Sequence, residues 1–188
     1  MNRFTHAAVA ALVVLGAVSC SDGPVSSRSG LQGPQLSSQG GDLTKLAKYI
    51  DGRPKILLGI SAATIGPAGG RLKLQDFEVI IPPGAVDKPT RFTIRMPADP
   101  TGSEYVYAEF SPHGSTFAVP LTLILPYKGT TSEGSAVHVM WNNAGTWVPF
   151  ETSLTADGRI QAKTNHFSEY GTEEGFSKGI TLNGKPQR

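Results

Sequence analysis

The chain carries one thiol, Cys20, and its position limits what that thiol can do. A single cysteine cannot form an intramolecular disulfide. Cys20 follows an unbroken apolar run over residues 7–18 and precedes the polar stretch SDGPVSSRSG, so it stands at a boundary and not among core-building residues. Beyond the early His6, the imidazoles are His113, His138 and His166, scattered without metal-ligand spacing, so no metal site is expected. There is no GxSxG elbow, HExxH, CxxC or GxxxxGK[ST] loop. The glycine-rich GPAGGRLK has the wrong spacing for a phosphate loop and reads as a turn leading into a strand. Trp141 and Trp147, with Tyr105 and Tyr107, could present a face on which a sugar or peptide stacks, or could pack the core and rim of a hairpin. The last chemistry-bearing cluster is Asn165-His166-Phe167-Ser168, an imidazole two residues from a hydroxyl.

The first twenty residues address the chain. Met1-Asn2-Arg3 supplies a short basic start. Helix over residues 7–18 would span roughly 18 Å, too short for a ~30 Å hydrocarbon core, and suits a secretory segment that is read and removed. Ala17-Val18-Ser19-Cys20 resembles the lipobox of bacterial lipoproteins, in which the thiol is acylated, the chain is cut before it and the new amine is acylated. The resemblance implies a signal peptide over 1–19 and a membrane anchor through lipid on Cys20. Ala17 stands where the pattern carries Leu, and small residues at 17 and 19 would also serve an ordinary signal peptidase, which leaves plain secretion as the alternative. Ser21, where an inner-membrane retention signal would favour Asp, implies outer-membrane or surface delivery.

Charge excludes one class of partner. The formal charge is +2 and no run of Lys or Arg occurs, whereas a nucleic-acid binder needs a clustered basic face. Residues 21–41 are rich in Ser, Gly, Gln and Pro and bury too little to offset their ordering entropy, so 20–54 is expected to be a lipid-anchored, disordered tether. Within it, DLTKLAKYI over 42–50 could form one or two helical turns capped by Asp42, docked or loose.

What must position the candidate residues is a set of short strands. ILLGISAATI, RLKL, FEVIIP, TRFTIRM, EYVYAEF, PLTLILPY, SAVHVMW, TWVPFE and GRIQAKT are β-branched or alternating segments, and a short stretch over 166–170 closes the series. The chain has 22 glycines and 14 prolines, which suit tight turns, and Asn142-Asn143-Ala144-Gly145 is a hairpin signal. About 8–9 strands at ~8–12 residue spacing with period-2 alternation predict an all-β antiparallel sandwich over 55–172, with a closed barrel as the alternative. The tail over 173–188 is polar and irregular, with GITL able to add an edge strand.

IIPPGAV, FSPHGSTFAVPLTLILPY, the two-tryptophan hairpin and the HFS triplet, taken in that order, resemble the ZU-five domain of ankyrins, netrin receptors and the death-domain protein PIDD. The resemblance runs over residues 60–170, and similar domains occur in bacterial lipoproteins. Some relatives cut their own chain inside the HFS triplet. Carried onto this sequence, the Ser168 hydroxyl would attack the Phe167 carbonyl, the amide C–N bond would break to give an ester, and water would hydrolyse it. His166 would take the Ser168 proton and Phe167, buried, would clamp the bond. The same triplet also occurs in relatives with no known cutting, where it packs the sandwich, and cutting here would release only residues 168–188 with no domain following. Three functions therefore follow from the sequence: a non-enzymatic envelope lipoprotein whose sandwich binds a protein partner, a self-processing protein, or a surface carbohydrate- or peptide-binding domain. None calls for a cofactor.

Overall fold

Alternation of apolar and polar residues makes strands whose two faces differ, and here two such sets of strands bury their apolar faces against each other. The computed structural model describes residues 41–52, 59–97 and 104–175. Residues 1–40, on which the expected export segment, Cys20 and most of the expected tether fall, and the GITL stretch lie outside the described residues. Eleven strands appear among those described: β1 (Ile60–Ile65), β2 (Gly70–Leu74), β3 (Phe77–Ile81), β4 (Thr90–Arg95), β5 (Tyr107–Ser111), β6 (Thr116–Leu125), β7 (Val139–Asn143), β8 (Thr146–Phe150), β9 (Ser153–Leu154), β10 (Ile160–His166) and β11 (Glu169–Thr172). They form a six-stranded sheet in the order β1-β4-β5-β11-β7-β8 and a five-stranded sheet in the order β2-β3-β6-β10-β9, antiparallel throughout. The antiparallel all-β sandwich expected from the sequence is the fold.

Local chemistry explains the joints. Gly69, at φ +77°, closes the turn into β2 where a Cβ would stand 2.5 Å from the Ile81 carbonyl, so only glycine fits. Pro82 and Pro83 end β3 by withholding two ladder donors. The β7–β8 hairpin turns on Ala144 and Gly145, both at positive φ, and the Asn142 side chain accepts from the Gly145 amide at 2.7 Å. Pro120 sits inside β6, which a regular ladder would forbid. The β6–β10 register shifts there, so that Thr164 pairs with Leu121 but His166 pairs with Thr116, and the proline falls in the break.

The main core lies between the sheets and centres on Phe92, Phe110, Phe117, Phe167 and Tyr170 with Leu121, Leu123 and Leu125. A second, smaller core lies on the outer face of the six-stranded sheet, where Leu46 packs on Tyr107, Met140 and Trp147. It is roofed by the segment from Asp42 to Ile50, which makes one 3-10 turn, Leu43–Lys45, capped by the Asp42 carboxylate on the Thr44 amide at 3.1 Å. Backbone bonds tie this strap down: the Ala47 amide donates to the Thr172 carbonyl, the Val106 amide to Ala47, the Tyr49 amide to Glu104 and the Glu174 amide to Lys45. Gly171 makes room beneath it, since a Cβ there would stand 2.9 Å from Leu46 Cδ2. Residues read from the sequence as the end of the tether thus belong to the packed unit, as do Glu173 to Gly175 of the tail, whose amides are all bonded.

Candidate functional site at the His166–Ser168 junction

The HFS triplet is the step between the two sheets. His166 ends β10 in one sheet, Glu169 begins β11 in the other, and Phe167 and Ser168 make the crossing. Phe167 drives into the core and is 2% exposed, its ring 4.9 Å from Phe117, 5.7 Å from Phe92 and 5.9 Å from Phe110. A crossing residue cannot join a ladder on both sides, so burial of this ring is what holds the corner. Tyr170 adds a brace: its hydroxyl donates to the His166 carbonyl at 2.9 Å, four residues back, in the manner of the tyrosine corners of other sandwiches. Thr164 Oγ1 lies 2.9 Å from the same phenol and 3.1 Å from the same carbonyl. Burial pushes the Tyr170 phenol well above its ordinary range, so it keeps its proton as a donor.

His166 and Ser168 point to different partners. The His166 ring is boxed by Trp141 at 4.5 Å, Tyr170 at 6.0 Å and Phe150 at 6.2 Å, with Nδ1 3.2 Å from Thr164 Oγ1. Its Nε2, like Nε1 of Trp141, is buried without a hydrogen-bond partner among the described residues. That burial lowers the His166 pKa, so the ring is neutral at pH 7 and has a basic lone pair to offer. The Ser168 hydroxyl, however, donates to the Asn142 carbonyl on β7 at 3.1 Å, and the Ser168 carbonyl accepts from the Phe110 amide at 2.9 Å. In this arrangement the hydroxyl is engaged away from the imidazole. Phe167, between them in sequence, is buried in the core.

Beside the junction, on the outer face, Glu169 is buried and accepts from Asn142 Nδ2 at 2.6 Å. It lies directly across from Glu109, which contacts His113 Nε2 at 3.0 Å. Burial raises the Glu169 pKa, opposed by the Asn142 bond and added to by Glu109. Asn142, Glu169, Thr164 and Tyr170 were not singled out by sequence. The spacing H-F-S-x-Y carried the signal for Tyr170, whereas Asn142 and Glu169 meet only through the β7–β11 pairing.

The four aromatic candidates make no shared stacking face. Trp141 points inward onto Phe150 and His166, while Trp147 points outward, 4% exposed, against Gly41 and Tyr107. Alternation along a hairpin sends neighbours on paired strands to opposite sides unless they are directly opposed, and Trp141 is opposed by Val148. Tyr107 is 4% exposed, its phenol pushed up to about 12 by burial and by Glu169 and Glu104, and Tyr105 lies under Lys48 at 4.6 Å. A groove of about 420 Å³ opens where the chain leaving β8 crosses to pair with β10 as β9, lined by Phe150 to Ser153, Gln161 and Lys163, and none of the sequence candidates borders it. His138 pairs with Glu173 at 2.6 Å, and no group of three or more His, Cys, Asp or Glu among the described residues is arranged to hold a metal. No protein-family model and no curated protein matches the chain.

Proposed function

We propose that this is an exported, lipid-anchored cell-envelope protein whose β-sandwich acts as a non-enzymatic interaction module. The observation that carries the reading is the lone Cys20 at the junction of a removable apolar segment and a polar tether. Acyl chains contribute ~0.8 kcal/mol per buried CH₂, so two or three on Cys20 would anchor the sandwich durably at the end of a spacer. The engagement of the HFS side chains supports a packing role for the triplet, with Phe167 in the core and Ser168 on the Asn142 carbonyl.

Intact-mass spectrometry of the full chain recovered from bacterial membranes tests both this reading and its rival. The expected product begins at Cys20 and carries acyl mass, and Cys20→Ala leaves the chain unacylated and released from the membrane. Cleavage elsewhere with no added lipid would overturn the anchor. Loss of residues 168–188 from the wild type but not from Ser168→Ala would replace the packing role with self-cleavage between Phe167 and Ser168.

A further inference from the structure

Open sheets end in strands with unpaired amides and carbonyls, and folded proteins block such edges with charge, proline, brevity or cover. Among the described residues this sandwich has four edges, and three carry a block. β8 holds Pro149 at an exposed position, β9 is two residues long with Lys163 exposed on β10 beyond it, and β2 exposes Arg71 and Lys73. The fourth, β1, reads Ile60-Ser61-Ala62-Ala63-Thr64-Ile65, six residues with no charge, proline or glycine. Among the described residues its ladder partner is β4 alone, and Ile60, 40% exposed, is one of four large apolar side chains left in solvent.

We propose that β1 is a strand-addition site whose occupant is β1 of a second copy of this chain, joining two six-stranded sheets into one. The charge pattern favours a second copy. A two-fold antiparallel pairing places each residue opposite one of like orientation, so a register centred on Ala62 sets Ala62 against itself, Ile60 against Thr64 and Ser61 against Ala63. Nothing in that set repels its own image, as the lysine and arginine of β2 would. The nearest cationic rows are Arg91 and Arg95 on β4, paired with Thr64 and Ile60. Across the joined sheet they would stand three strand spacings apart, about 14 Å, beyond a Debye length of ~8 Å. The small side chains at 61–63 offer no pockets to read a foreign peptide, whereas main-chain pairing needs none. This deepens the interaction-module reading by naming the partner. Its membrane component rests on the lipid anchor, which would hold two copies in one leaflet and raise their effective concentration.

The test uses the full chain in bacterial membranes. Ala62→Cys, wild type (whose one thiol is Cys20) and Lys163→Cys are treated with a short bis-maleimide and read by electrophoresis and mass. A product of twice the chain mass is expected from Ala62→Cys alone, and Ala62→Cys combined with Ile60→Lys and Thr64→Lys, which set like charges directly opposite each other across the pair, should lose it. Circular dichroism of the detergent-purified variants checks that they are folded. Sedimentation of wild type in detergent should show a dimer that Ala62→Lys converts to monomer. Equal crosslinking from Lys163→Cys, no product with a monomeric wild type, or a product joined to a different protein would each overturn self-pairing. Intact mass on the same preparations reads Cys20 acylation separately. A dimer without lipid would remove the anchor and leave the edge, and lipid with a monomer would do the reverse.

Discussion

Two side chains of the junction have testable consequences of opposite kinds. Phe167 fills the corner between the sheets with three phenylalanine rings around it, so Phe167→Ala should cost about 3–5 kcal/mol in denaturant unfolding. That is a large share of the ~5–15 kcal/mol typical of a domain, whereas Ser168→Ala, which removes one part-buried hydroxyl bond, should cost about 1 kcal/mol. His166 contributes to the pH dependence. Its folded pKa lies below the unfolded value of ~6.5, so between the two the unfolded chain binds a proton that the folded chain does not. Stability contributed by the neutral ring is therefore full above about pH 6.5 and falls as the pH drops through that window. Thermal melts from pH 7.5 to 5 should show the loss in wild type and a flatter profile in His166→Phe, which keeps the aromatic box filled. An unchanged profile in the variant would assign the acid sensitivity elsewhere. The sequence marks this triplet, yet it does not show that the imidazole and the hydroxyl take different partners at the corner, because that depends on Asn142, 26 residues from Ser168, arriving beside it.

At the scale of elements, strands with a buried face on one side are legible, because period-2 alternation is the imprint of that burial: RLKL, TRFTIRM, TWVPFE and GRIQAKT each overlap a strand of the sandwich. The stretch over 166–170 reads in sequence as one closing strand and is instead the crossing from β10 to β11, since the change of sheet leaves alternation intact locally. Pro120 suggested a strand start, and β6 extends four residues before it, because the register break at Asn165 supplies the tolerance that sequence alone does not advertise. The hairpin turn makes a prediction at this scale. Ala144 sits at φ 49°, a conformation that costs an L-residue with a plain methyl roughly 1 kcal/mol and that asparagine tolerates better. Ala144→Asn should therefore stabilise the protein by about 0.5–1 kcal/mol, measured as a raised denaturation midpoint at unchanged m-value.

For the molecule as a whole, the strap from Asp42 to Ile50 belongs to the folded unit. Its short amphipathic pattern suited a helical turn, docked or loose, and what docks it is distant in sequence: Thr172, Val106, Glu104 and Thr131 supply the backbone and side-chain partners. No local propensity encodes those partners. Leu46 is 1% exposed and Ala47 fully buried, so the strap covers Tyr107, Met140 and Trp147 as part of the fold. Leu46→Ala should cost about 2–4 kcal/mol by opening a cavity over Gly171, and the loss should appear in global unfolding. A strap that frays independently would instead leave the global midpoint unchanged and show early amide exchange confined to residues 42–50 and the Val106, Thr131 and Glu174 amides. Hydrogen exchange on wild type and Leu46→Ala separates the two, and cooperative loss of protection across β5, β11 and the strap together is the expected result, because the Ala47 bonds to Val106 and Thr172 bridge all three.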